Sequence, residues 1–204
     1  MRNRLKSALM TLDMPSEFFA SLGDEERGQL REVFALIGVP QPEKYHPEGD
    51  AFVHTMLVVN EAAKVKDRAK RPLDFMLAAL THDLGKKIAT GRKDDGEWHS
   101  IGHERKGLPL IRALLTRLGA EKETIIYCEN LCKLHMRVHT CFYGKAGVKA
   151  TNRLYSECVC PEDLALLCIC DTRGTGKPRE SSLPEEEFIL SRLDRYIHTI
   201  GKEG

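Results

Sequence analysis

Apolar residues along this chain recur mostly at helical spacing. Between Asp50 and Lys66, Val53, Leu57 and Val58 fall among polar positions in the three-and-four rhythm of a helix. Upstream, Asp24, Glu25 and Glu26 form an acidic first turn, apolar positions continue to Leu36, and Gly38-Val39-Pro40 ends the segment. Pro72, at an N1-like position, opens a helix predicted to run to Gly85, where a left-handed cap is expected. A further helix is predicted from His103 to Leu118, closed by Gly119, with others near 122–137, 149–157 and 161–172. Pro184 is read as the start of an amphipathic helix whose Ile189, Leu193, Tyr196, Ile197 and Ile200 form one stripe, covering the core or a partner chain. Period-two stretches bounded by turn residues are nearly absent. The pattern predicts an all-α fold in one domain.

Length and charge narrow the class. A chain of 204 residues fits a single domain with a full-sized core. Its 42% hydrophobic and 30% charged residues place it among ordinary globular proteins. The formal net charge is +1, so no global field draws it to nucleic acid or an anionic membrane, and any grip on phosphate must be local. An RNA partner is therefore not indicated by charge. The opening MRNRLKSALM has basic residues but no apolar core of signal-peptide length. The apolar runs Phe75 to Leu80 and Leu164 to Cys170 are too short to cross a bilayer, so a cytoplasmic location without a membrane partner is expected. Seven cysteines, an odd number, fit reduced thiols better than a disulfide framework. Cys158 and Cys160, with Cys168 and Cys170, offer a zinc-site reading. Each pair is separated by one residue rather than two to four, and the second lies in the apolar run LALLCIC, so buried structural thiols are the expectation.

The candidate chemistry centres on His82 and Asp83, at the end of the apolar segment PLDFMLAALTHDLGK. An aspartate at a helix C-terminus meets the negative end of the macrodipole, which disfavours it by up to about 1 kcal/mol. A cation should offset that cost, and a bound metal would do so more fully than Lys86 alone. His54 is embedded in the core-seeking AFVHTMLVV, and Asp171 ends the apolar run LALLCICD, where a buried carboxylate requires a cation or several donors. Each alone reads as an ordinary polar residue. Together, two imidazoles and two carboxylates from three helices form a mixed nitrogen and oxygen set suited to a divalent transition metal.

The order His…His-Asp…Asp on helices, with THDLGK around the central pair, resembles the HD metal-dependent phosphohydrolase superfamily. Four blocks, GVPQPEKYHPEGDAFVHT, LAALTHDLGK, KLHMRVHTCF and DTRG, more closely resemble the C-terminal HD domain of bacterial CCA-adding tRNA nucleotidyltransferases, over roughly residues 14–177. The resemblance implies an HD-type helical bundle with its core at about 14–177 and a C-terminal helical extension at 178–204. It implies His54, His82, Asp83 and Asp171 as metal ligands. The HERKG element at His103 resembles the His-x-x-x-Gly element of dinuclear members, implying a second ion held by His103 and His135 with Asp83 bridging. One ion remains the alternative. His135 and His139, four apart, share a helical face, which with Lys133 and Arg137 nearby also reads as an exposed polar stripe. The resemblance places His139 beside the ligands, against phosphate or a ligand. No Gly-Ser nucleotidyltransferase motif with paired aspartates is present, so CCA addition is not expected of this chain.

The expected reaction is hydrolysis of a phosphate ester by metal-activated water; the resemblance implies phosphatase and phosphodiesterase activity, including toward 2′-nucleotides and 2′,3′-cyclic nucleotides. Asp83, Lys86, His139 and Arg173 are the expected catalytic set. Lys86 and Arg173, each within three residues of a proposed ligand, would face phosphate, though both also fit as helix-end cations, and His139 would protonate the leaving group. The expected cofactor is Mn, Fe, Co, Ni or Zn, with Mg admitted, as one or two ions; the expected partner is a small nucleotide or other phosphate ester. Glu48 and Asp50 are candidate acceptors behind the site or N-terminal caps, the cap being favoured for Asp50. His46 is an accessory candidate, and His99 and His198 are read as surface residues. Two other readings compete: an HD-type diiron oxygenase, and a non-catalytic nucleotide- or RNA-binding subunit. Oligomeric state is not specified by the sequence.

Overall fold

The most apolar helix, Pro72–Thr81, is buried continuously from Asp74 to Thr81. A helix with no polar face must be enclosed on every side, and the rest of the chain is arranged to do that. The structure, a computed structural model describing residues 1–202, is about 68% helical. Its helices in chain order begin with α1 (Arg2–Thr11), α2 (Ser16–Ala20), α3 (Asp24–Gln29), α4 (Arg31–Phe34), α5 (Ala51–Val65), α6 (Pro72–Thr81) and α7 (Lys86–Ala89). They continue with α8 (His103–Lys106), α9 (Leu108–Arg117), α10 (Lys122–Tyr143), α11 (Val148–Ser156), α12 (Pro161–Arg173) and α13 (Arg179–Ile200). α1, α5, α10 and α12 pack around α6, while α13 lies across α11 and α12. Leu5 and Leu9 of α1 and Ile189 of α13 join the same core as Phe75 and Leu80. The all-α bundle expected from the pattern is the fold observed.

Local chemistry fixes the ends of the central elements. Asp50 caps α5, accepting Val53 N–H at 2.9 Å, and its other oxygen accepts Gly38 N–H at 2.7 Å, tying the preceding turn to the helix start. Pro72 and Pro161 occupy the first positions of α6 and α12, where a missing N–H costs nothing. The carboxylate of Asp163, fully buried in the first turn of α12, accepts Lys70 N–H at 2.8 Å, Arg71 N–H at 3.2 Å and the Tyr127 hydroxyl at 2.6 Å. That one side chain locks α12 and α10 to the entrance of α6.

Several boundaries differ from the sequence reading. The 24–36 segment is two short helices broken at the fully buried Leu30, whose turn inward takes it out of helical geometry. The 103–118 segment breaks at Gly107, and α13 starts at Arg179 behind Pro178, leaving Pro184 inside the helix. A two-residue antiparallel hairpin, β1 (Gly91–Arg92) with β2 (Trp98–His99), pairs Gly91 with His99 and was not expected.

Gly85 is the most informative correction. It is not a left-handed cap: its φ is −67°, and α6 ends earlier, at Thr81. The glycine is required for a close approach, because a Cβ there would lie 2.0 Å from the His103 carbonyl oxygen and 2.6 Å from Gly107 N. Gly174 plays the same part at the end of α12, where a Cβ would lie 2.4 Å from Val58 Cγ2 of α5. These two contacts press the segments bearing His103 and Asp171 against those bearing Asp83 and His54.

Candidate metal centre

Five imidazoles converge at the C-terminal end of α6, each held by one ring nitrogen. Nδ1 of His82 lies 2.9 Å from Ala79 O, Nδ1 of His103 2.8 Å from Ser100 O, and Nδ1 of His135 2.6 Å from Cys132 O. A carbonyl can only accept, so these rings carry their proton on Nδ1 and, when neutral, present a lone pair at Nε2. His54 and His139 are held the same way by carboxylates: Nδ1 of His54 is 2.8 Å from Glu48 and Nδ1 of His139 is 2.8 Å from Glu185. All five Nε2 atoms then face Asp83 or Asp171. This is the arrangement by which outer acceptors orient histidine ligands.

The two carboxylates divide the space between them. Asp171 Oδ1 lies 2.9 Å from His54 Nε2 and 3.8 Å from His82 Nε2, and its Oδ2 lies 3.0 Å from His139 Nε2. Asp83 Oδ1 lies 3.0 Å from His103 Nε2 and 3.9 Å from His135 Nε2. Its Oδ2 lies 2.7 Å from Lys86 Nζ, 3.2 Å from His82 Nε2 and 3.6 Å from His54 Nε2. Yet both Asp83 oxygens and His82 Nε2 are buried with no aligned hydrogen-bond partner. Nε2 of His103 and of His135 also sit 3.3 Å apart, lone pair facing lone pair unless a cation or proton lies near.

The charges are strongly coupled. Burial works against ionisation of Asp83, but His82 and Lys86 beside it hold its carboxyl well below the usual range. Asp171 is depressed against the same burial penalty by bonds from His139 and His54. Burial opposes charge on His54, and its bonds to Asp171 and Glu48 outweigh this, raising it to about 9. His139 is raised likewise, against burial, by its contacts with Asp171, Cys168 and Glu185. Burial, with His103 and His82 close by, pushes His135 down to about 3.

All six residues expected to bind metal, His54, His82, Asp83, His103, His135 and Asp171, are thus brought together. His54, His82 and Asp171 form one set of donors within 4.8 Å of one another, and Asp83, His103 and His135 form a second. A third set joins His46, Glu48 and His54, with His46 Nδ1 also 2.8 Å from Glu48. Lys86 is buried, its ammonium shared between Asp83 and Gln41 Oε1 at 2.6 Å. Arg173 is committed to a two-pronged pair with Glu186, at 2.8 and 2.6 Å. Among the described residues, none of these donor sets includes a cysteine; Cys160, Cys168 and Cys170 are buried and Cys158 partly so. His99 is half-buried in the hairpin, and the His198 side chain is 70% exposed.

Glu185, Glu186 and Gln41 were not anticipated. Glu185-Glu186-Glu187 reads as a solvated acidic run, and only the packing of α13 against α10 and α12 turns the first two inward. Glu48, one of the two candidates for an acceptor behind the site, does stand there, bonded to both His46 and His54.

The donors could hold a metal ion: imidazole Nε2 atoms already aimed, two carboxylates beside them, and buried polar atoms otherwise lacking a partner, each costing roughly 1–3 kcal/mol.

No protein-family model matches the chain. It is similar to proteins named multifunctional CCA protein. That of Mannheimia succiniciproducens is 34% identical over 163 residues, covering 78% of this chain and 38% of the relative. That of Pasteurella multocida is 36% identical over 186 residues, covering 86% and 43%. That of Pseudomonas fluorescens is 35% identical over 198 residues, covering 91% and 45%. The chain therefore spans about two-fifths of the length of the curated relatives it matches. No helix among the described residues is long and apolar enough to cross a membrane.

Proposed function

We propose that this chain is a metal-dependent phosphohydrolase of HD type acting on a nucleotide-like phosphate ester, with 2′-nucleotides and 2′,3′-cyclic nucleotides as leading substrates. The carrying observation is the set of five Nδ1-anchored imidazoles turned toward two buried carboxylates, one of them, Asp83, without an aligned donor. Similarity to multifunctional CCA proteins supports the same reading.

His54, His82, Asp83 and Asp171 would hold one ion, and His103 and His135, with Asp83, a second. A bound divalent ion supplies Lewis acidity, offsetting charge on phosphoryl oxygens and making hydroxide available near neutral pH. The residues of the chain do the rest. Glu48 and the Ala79, Ser100 and Cys132 carbonyls fix ring tautomers and prevent reorientation. Lys86, steadied by Gln41, offsets the charge of Asp83 and adds a positive field toward phosphate. His139, kept protonated between Asp171 and Glu185, would give the departing oxygen its Nε2 proton by exchanging Asp171 for it. Arg173 needs to exchange Glu186 for phosphate if it binds substrate; otherwise it braces α12 against α13.

The test is a screen of 2′,3′-cyclic nucleotides, nucleoside monophosphates and dinucleoside polyphosphates across Mn, Co, Ni and Mg, with Asp83→Ala alongside. Metal-dependent turnover lost in Asp83→Ala is the expected result. Turnover retained after metal is lost would sink the proposal.

A further inference from the structure

Two exposed tyrosines border the histidine centre. Tyr45 is 49% exposed and Tyr143 68% exposed. Tyr143 lies one turn beyond His139 on α10, on the same helical face. Its phenol is raised by partial burial and then by the charge on Glu185, with His139, Tyr45 and Asp171 also in electrostatic reach. Tyr45 is presented by a tight turn in which the N–H groups of Tyr45 and His46 both donate to Pro42 O at 2.9 Å. His46 leads directly to the centre through Glu48 and His54. The loop after α12 closes the same edge: a Cβ on Gly176, which has φ +67°, would touch Glu48 Cβ at 3.4 Å. Lys177 of that loop places Nζ 5.7 Å from the Tyr45 ring centre, and Lys44 Nζ is 5.4 Å from it.

Aromatic faces with adjacent ammonium groups match a ligand that carries both a flat π-system and an anion. Resting on the phosphohydrolase reading, we propose that Tyr45 and Tyr143 form a stacking rim for the nucleobase of the substrate, with Lys44 and Lys177 as the cations that meet its phosphate. A base stacked there would direct the attached phosphoester into the space facing Asp83 and Asp171. An apolar peptide would gain nothing from the paired lysines, and a simple phosphate nothing from the rings.

Calorimetric titration of the purified full chain without added metal, using adenosine 5′-phosphate, ribose 5-phosphate and inorganic phosphate, separates these contributions. The expected result is about tenfold tighter binding of the adenosine compound than of ribose 5-phosphate, within the range of one base–aromatic stack. The double variant Tyr45→Ala/Tyr143→Ala should lose that preference and keep its ribose 5-phosphate affinity, whereas Lys44→Ala/Lys177→Ala should weaken both. All four positions are at the surface or partly so, where substitution leaves folding intact. Equal affinity for the two sugars' phosphates, a preference that survives the tyrosine double variant, or no binding of any probe overturns the rim. Base preference without metal-dependent hydrolysis refutes the phosphohydrolase reading instead; hydrolysis without base preference refutes only the rim.

Discussion

At the N-terminal end of α6, the fully buried carboxylate of Asp163 receives two backbone N–H groups and the Tyr127 hydroxyl. At the C-terminal end, the equally buried carboxylate of Asp83 is surrounded by imidazoles and Lys86 but has no aligned donor on either oxygen. The same helix thus connects two treatments of one chemical group. The first satisfies every demand locally and acts as a clamp. The second gathers imidazoles, carboxylates and one ammonium into donor sets that could hold a metal ion. A buried carboxylate serves stability when its donors are built in, and is available for binding when they are withheld.

The comparison can be broken at its structural end first. Asp163→Ala strands the Tyr127 hydroxyl and two N–H groups, and should lower unfolding stability by about 3 kcal/mol while leaving metal content unchanged; denaturant midpoints with metal analysis read both. Metal loss on that substitution would show that the two ends are not separable. Gly85→Ala comes next. Its Cβ would collide with the His103 carbonyl and Gly107 N, which are backbone and cannot swing aside. A stability loss of about 1–3 kcal/mol is expected, with the His103 position weakened before the His54 position; metal stoichiometry measures the second part.

At the binding end, Glu48→Ala frees the His54 ring and should weaken metal affinity by about 10- to 100-fold with little change in the unfolding midpoint. Unchanged affinity would mean that Glu48 serves only the turn at His46. The smallest effect is predicted for Glu186, held below its ordinary value of 4.5 by Arg173 and, despite some burial, by Ser182. Because the folded value is depressed, the stabilisation is fully present above the unfolded value and disappears as pH falls through the folded one. Wild type should exceed Glu186→Gln by about 1 kcal/mol or less at pH 7. That margin should close on acidification below the ordinary carboxylate range, as followed by thermal melts at several pH values.

The two ends also differ in how far the sequence discloses them. His82-Asp83, His54 and Asp171 stood out because polar residues were lodged in apolar runs, and Asp50 because cap chemistry is local. The existence of the helices followed from their periodicity. What the spacing could not convey was contact between distant segments. Gly85 looked like a helix stop because nothing in its neighbourhood reveals that His103 will pack against it. Asp163 lies in the first turn of α12, where any acid suits the helix dipole, and its bonds to Lys70 and Arg71 depend on a partner about ninety residues away. Glu185 was hidden in an acidic run for the same reason. Lys86 and Arg173 were legible as cations near the ligands, but their engagement by Gln41 and Glu186 was not.

The central claim is that the C-terminal end of α6 is a metal centre built around Asp83. Its most direct test is calorimetric titration of chelator-treated protein with Mn or Ni, comparing wild type with Asp83→Ala. The account predicts saturable binding of one or two ions per chain in wild type, and its loss in Asp83→Ala with helical content retained. Saturable binding of equal affinity and stoichiometry in both proteins, or none in wild type, would contradict it.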